Sequence, residues 1–157
     1  MNLVDELHSI VAALAAARIE YAVCGGVAVT IHGATRSTKD IDILVARDVA
    51  RALDAVRPLG YQFAALPISF DAGTARERHM QRVSKVLGEE HLLIDFLIAD
   101  EAFAGALADR IEVQLDEGPL VVVSRASLIR MKKLAGRAQD LADLERLAAS
   151  GDVGEGR

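Results

Sequence analysis

Residues 40–45, Asp-Ile-Asp-Ile-Leu-Val, make an apolar run with two carboxylates set into it. On a strand, successive side chains point to opposite faces. Ile41, Ile43 and Val45 then share one face, and Asp40 and Asp42 the other. Residues two apart lie about 7 Å from each other along a strand, so the two acids repel, the more so where apolar neighbours lower the dielectric. Placing carboxylates beside apolar groups is costly unless something compensates them. A divalent cation does so, because carboxylate oxygens are hard-metal ligands.

A second run has the same flaw. Residues 91–98, His-Leu-Leu-Ile-Asp-Phe-Leu-Ile, read as a strand broken by one acid, Asp95. Ile94, Phe96 and Ile98 share one face and Asp95 takes the other. A strand here, paired beside strand 41–46, brings Asp40, Asp42 and Asp95 to one point. Three such carboxylates can hold two Mg²⁺ ions, or Mn²⁺, about 3.5–4 Å apart, the arrangement of two-metal phosphoryl chemistry. Each acid also has a plain structural reading. Asp40 could cap a turn, Asp42 could pair with Arg36, Lys39 or Arg47, and Asp95 with a base such as Arg82. The metal reading is preferred because all three stand where a strand pattern forbids them.

The rest of the chain surrounds these strands with helices. Leu3, Leu7, Ile10, Val11 and Leu14 fall at helical spacing over residues 3–17. Tyr21–Cys24 reads as a short strand, and Gly25-Gly26 leads into a short helix closed by Gly33. A helix follows Asp48, its N-cap, and stops at Pro58-Leu59-Gly60. Residues 61–75 have no clear period, with a strand suggested near Ile68-Ser69-Phe70. Two strands flank a turn at Gly88-Glu89-Glu90. A short helix over 101–109, one or two edge strands over 111–123 and two final helices complete the chain. Ser124 and Gly136 are the caps of the first of these last two helices. The expected fold is α/β (α+β), with a mixed sheet of about four to six strands flanked by helices and a C-terminal helical pair. One domain is expected over residues 1–150, with a disordered tail over 151–157.

Composition excludes several functions. The net charge is −5, so the protein as a whole is not built to bind a polyanion. Aromatic residues make up only 4% and Trp is absent, which argues against a surface that stacks single-stranded bases. No apolar stretch reaches the length of a membrane span. The single cysteine, Cys24, permits no internal disulfide and agrees with a reducing cytoplasm. It reads as a small buried apolar residue.

Gly25 and Gly26 follow a strand and open a helix, where glycine lets the backbone come close to a ligand and free N–H groups meet a phosphate. The pair alone is weak, and it belongs to neither a Walker loop nor a GxGxxG fingerprint. The order of parts says more: strand, Gly-Gly, short helix, Asp-x-Asp on a strand, then an acid on a later strand. This pattern resembles the nucleotidyltransferase superfamily that includes DNA polymerase β, with Gly25, Gly26, Asp40, Asp42 and Asp95 matching position by position. It resembles most the small AbiEii-type nucleotidyltransferases, some of them toxins of type IV toxin–antitoxin systems. Arg36 and Thr38 match an Arg/Thr pair that precedes the Asp-x-Asp. Lys132, Gly136, Arg137 and Asp140 match a C-terminal motif, with Gln139 standing where a Lys is common. The resemblance spans residues 20–148.

The resemblance implies a nucleotidyltransferase fold and transfer of NMP from an NTP to an acceptor hydroxyl. The acceptor would be an RNA end, a protein or a small molecule. Asp40, Asp42 and Asp95 would hold the metals, and Asp95 would assist deprotonation of the acceptor. Gly25, Gly26, Arg36, Ser37, Thr38 and Lys132 would meet the nucleotide. Lys132 could equally form a structural pair with Asp140. Basic residues cluster over 74–85 and 124–137, and most of them read as solvated faces. His79 and His91 could meet across the hairpin, but exposed polar positions explain them more simply, and His32 reads as a helix-end residue. A cognate antitoxin or toxin and a homodimer are the partners considered. The alternative function is a binding module of a toxin–antitoxin pair that keeps the fold without turnover.

Overall fold

A computed structural model of the chain describes residues 2–34 and 37–150. Arg36 and the tail expected over 151–157 lie outside the described residues. Helix α1 (Leu3–Ala16) starts at Asn2, whose side chain accepts from the amides of Val4 and Asp5. It buries Leu7, Ile10, Val11 and Leu14, the stripe read from the sequence. Strand β1 (Tyr21–Cys24) runs straight into α2 (Gly25–Ile31), which therefore begins at the first glycine. Then come β2 (Ile41–Val45) and α3 (Val49–Val56), capped by Asp48 through the Arg51 amide. The stop expected at Pro58-Leu59-Gly60 is a single 3₁₀ turn, with Gly60 left-handed at φ 104°.

The sheet has eight strands, where four to six were expected. Its order is β3 (Phe63–Ala64), β5 (Arg78–Leu87), β6 (Glu90–Ile98), β2, β1, β8 (Gly118–Val122), β7 (Ile111–Leu115), with β4 (Ile68–Phe70) also on β5. The surplus lies in the exposed segment before β5: β4 is the strand suggested near Ile68-Ser69-Phe70, while β3 has two exposed residues and no alternation to reveal it. Of the two strands read as edges over 111–123, only β7 is one. β8 is interior, parallel to β1 on one side and antiparallel to β7 on the other. Its apolar Leu120 and Val122 are fully buried, as an interior position requires.

β2 and β6 pair in parallel at the centre, as the acids required, and the other pairs except β1–β8 are antiparallel. Ile41, Ile43 and Val45 stand opposite Ile94, Phe96 and Ile98, so one face of the two strands is continuous hydrocarbon. Leu44 on the opposite face is also fully buried, so both faces of β2 are covered. α4 (Ala104–Ala108) is a single short turn. α5 (Arg125–Ala135) opens on Ser124, which accepts from the Ser127 amide, and closes on left-handed Gly136, both as expected. α6 (Ala138–Ala149) follows after two residues and packs on α5. Among the described residues no helix is long and apolar enough to cross a membrane.

Candidate functional site

Pairing β2 with β6 puts Asp42 directly opposite Asp95. Side chains in register on neighbouring strands point to the same face, so the two carboxylates emerge together on the face opposite Ile43 and Phe96. Cys24 stands opposite Asp42 across the antiparallel β1–β2 pair, and the chain turns there into α2. Gly25 makes the junction possible in two ways. Its φ of +63° is one that side chains resist, and a Cβ there would lie 1.9 Å from Asp42 Oδ2. The Asp42 carboxylate thus rests against bare backbone at the start of α2.

These elements wall a cleft of about 500 Å³. Gly25, Gly26, Thr38, Asp40, Asp42, Asp95 and Lys132 all line it, so seven of the nine residues assigned from the sequence meet at one place. Ser37 is exposed and is not among the lining residues. Thr38 turns its hydroxyl to the carbonyl of Asp40, 3.2 Å away, and shapes the loop that leads into β2. Asp40 is exposed at the mouth.

The electrostatics are uneven. Arg82 on β5 stands opposite Asp95 and holds it with both arms, Nε to Oδ1 at 2.8 Å and Nη2 to Oδ2 at 2.9 Å. This is the structural pairing weighed above for Asp95. Among the described residues no such partner within 4.0 Å holds Asp40 or Asp42. Burial first, and the charge of Asp95 second, push the Asp42 carboxyl up to about 7, with Lys132 pulling the other way. The neighbouring Cys24 thiol is also raised, by burial and then by Asp42.

Lys132 is buried and shared between Asp140 at 3.3 Å and Asp143 at 2.9 Å. Its charge reaches Asp42 through space, while its hydrogen-bonding partners are on α6. Asp140 also takes the Arg137 amide at 3.1 Å and Arg137 Nε at 2.8 Å, which fixes the start of α6. Most of the two basic clusters is used within the molecule: Arg76 on the Leu134 carbonyl, Arg78 on Asp71, Lys85 on Glu6 and Arg130 on Asp109. His79 and His91 do not approach each other across the hairpin, in line with the simpler reading of them as polar positions. In the β5–β6 register His91 stands opposite Val86, seven residues from His79, because the turn lies just beyond it. His79 meets Ser69 and Asp100 instead. His32 ends α2, with Nε2 2.8 Å from the Val123 carbonyl.

Sequence reasoning missed the far wall: Phe70, Arg78, Met80, Leu97, Phe103 and Met131. It came closest at Phe70, inside the suggested strand. Oxygen donors such as Asp40 and Asp42 fit a hard divalent cation, and the raised Asp42 carboxyl marks a place short of positive charge. Among the described residues, no three His, Cys, Asp or Glu side chains are grouped as a ready metal site, and both Asp95 oxygens are engaged by Arg82. The donor chemistry of Asp40 and Asp42 therefore fits a hard cation, while both Asp95 oxygens are taken by Arg82.

No protein-family model matches the chain, and no curated protein matches it by sequence. Solved structures do. ANT(2")-Ia in complex with adenylyl-2"-tobramycin superposes with a TM-score of 0.59 at 20% identity, over 94% of this chain and 88% of that one. The lincosamide antibiotic adenylyltransferase LnuA, lincomycin-bound, gives 0.58 at 14% identity, over 93% and 96%. A candidate nucleotidyltransferase from Thermotoga maritima gives 0.58 at 14% identity, over 93% and 92%. Likeness at these identities is one of fold, and on that ground the chain has the nucleotidyltransferase fold.

Proposed function

We propose that the chain is a metal-dependent nucleotidyltransferase that moves NMP from an NTP to an acceptor hydroxyl. One observation carries this reading: Asp42 and Asp95 stand in register on adjacent parallel strands, in a cleft, with Asp42 pressed against the glycine that opens α2. A scaffold has no reason to keep a carboxylate at a cost in a groove. Asp40 and Asp42 would hold the metal, and Asp95 would join them. The ions, Mg²⁺ or Mn²⁺, would neutralise phosphate charge and acidify the attacking hydroxyl. Gly25 and Gly26 give the phosphates room beside the backbone, and Thr38 shapes the approach loop. Lys132 supplies positive charge to Asp42 through space, and Ser37 directly precedes Thr38 in the approach loop. The acceptor hydroxyl gives its proton to a carboxylate oxygen of Asp95 and attacks the α-phosphorus, and pyrophosphate leaves.

Among RNA ends, proteins and small molecules, the neighbours support a small-molecule acceptor. One was crystallised with an adenylylated antibiotic and another with lincomycin. The apolar wall of Phe70, Met80, Leu97 and Phe103 suits the body of such a molecule. A toxin–antitoxin role rests on the AbiEii-type motif alone. A second reading, a binding module without turnover, draws on the Arg82–Asp95 pair, which occupies the third acid. Incubation with each α-labelled NTP, Mg²⁺ and pools of antibiotics, RNA or protein separates the two. Label in an acceptor, lost with EDTA, supports transfer. No label in any pool, with no nucleotide bound, overturns it.

A further inference from the structure

Asp42, Asp95 and Arg82 lie in register across three adjacent strands, β2, β6 and β5. Their side chains therefore share one face, and the guanidinium and both carboxylates line the same cleft. Arg82 takes both oxygens of Asp95, at 2.8 and 2.9 Å, in the two-armed geometry that suits a carboxylate. The Asp95 side chain is 8% exposed and that of Arg82 39%, so the acid is covered while the base keeps an open edge toward the cleft. A metal approaching Asp42 and Asp95 meets the guanidinium on the oxygens it needs.

We infer that Arg82 is the resting counter-ion of Asp95 and keeps a divalent metal from joining Asp42 and Asp95 until an anionic group in the cleft draws the guanidinium away. A phosphate serves as that group, because it accepts the same paired N–H donors and carries more charge than a carboxylate. The inference rests on the nucleotidyl-transfer reading above. It gives the site an order of entry: metal bound to the nucleotide is admitted, and bare metal is held off. Arg82 acts through Asp95 and is a positioning residue. Its open edge places it to hold a phosphate oxygen after the exchange.

The test is Mn²⁺ binding to the full chain, followed by electron paramagnetic resonance, with and without a non-hydrolysable NTP analogue. Wild type is expected to bind Mn²⁺ weakly alone and well with the analogue. Arg82→Gln is expected to bind Mn²⁺ alone roughly tenfold tighter or more, about 1.4 kcal/mol. Arg82→Lys keeps the charge but cannot cover both oxygens. It too is expected to gain Mn²⁺ affinity, and it guards against a Gln variant that folds poorly. Asp95→Asn in the Arg82→Gln background is expected to remove the gain. Equal Mn²⁺ affinity in wild type and both Arg82 variants, with analogue-supported binding intact, overturns the role of Arg82 alone. A gain in Arg82→Gln with none in Arg82→Lys reduces the effect to net charge and also overturns it. Failure of every form to bind Mn²⁺, with or without analogue, overturns the proposed function itself.

Discussion

Asp140 and Asp143 on α6 and Asp42 and Asp95 on the central strands are both acid pairs set among apolar side chains, yet the cations around them differ. On α6, Lys132 bridges the two carboxylates, Arg137 holds Asp140, and Arg146 holds Asp143 at 3.3 Å. Burial works to raise the Asp140 carboxyl, but the Arg137 hydrogen bonds and the Lys132 charge win and lower it. On the sheet, among the described residues, the guanidinium in contact with this pair, Arg82, is committed to Asp95. Asp42 is left at about 7. The first pair is saturated with positive charge and ties α5 to α6. The second is short of it and lies in an open cleft. The first kind anchors a fold, and the second is where the proposed cation-bearing ligand would bind.

The widest test of this contrast is catalytic. Asp42→Asn is expected to lower nucleotide transfer by roughly 1,000-fold or more, because it removes a carboxylate proposed to hold the metal. Circular dichroism should leave the fold unchanged. The matching change on α6 breaks structure. Asp143→Ala takes from buried Lys132 its nearer carboxylate, leaving Asp140 alone, and is expected to cost about 3 kcal/mol in urea denaturation, toward the low end for a buried pair. Gly25→Ala lies between the two. Its left-handed φ and the 1.9 Å approach to Asp42 Oδ2 predict a loss of about 2 kcal/mol and displacement of Asp42. A reduced melting temperature together with lost nucleotide binding checks it.

The smallest effect is the most specific, because its sign reverses between the pairs. Asp42 has a folded value of about 7 against an ordinary 3.8, so the folded chain holds that proton more tightly than the unfolded one. Its contribution to stability is greatest below the ordinary value and is lost as pH rises through about 7. In metal-free buffer, Asp42→Asn is expected to gain on the order of 1–2 kcal/mol at pH 8, and to gain little at pH 4. Asp140, held low, contributes stability above its ordinary value and loses it as pH falls through the lowered one. Asp140→Asn is therefore expected to lose stability at pH 7, with the loss shrinking in acid. Thermal melts across pH give both curves. Parallel curves would erase the distinction between the pairs.

The sheet site was readable because a strand announces its faces. Asp42 and Asp95 each broke an apolar run, and a period of two placed them without coordinates. Gly25 was readable as a glycine at a strand–helix junction, though its closeness to Asp42 required the β1–β2 register. Half of the α6 pair was legible, since pairing Lys132 with Asp140 was one reading of the sequence, while Asp143 was not singled out. Asp140 and Asp143, three residues apart on a polar helix, look like an ordinary solvated face, and only packing against Lys132 buries them to 1% and 0% exposure. Lys132 was read either as a nucleotide ligand or as a structural partner of Asp140, and the structure pairs it with Asp140 and with Asp143. β4 was suggested by Ile68-Ser69-Phe70, but β3 and the pairing that builds the far wall were hidden for a different reason. Two or three exposed residues carry no period, and their pairing to β5 is set by the long hairpin beside them.

The charge deficit at Asp42 is tested most directly by calorimetric titration of an NTP with Mg²⁺ into wild type and Asp42→Asn at pH 8. Wild type is expected to bind only when Mg²⁺ is present, and Asp42→Asn to show no measurable binding under the same conditions. Equal Mg²⁺-dependent binding by the two proteins would contradict the account.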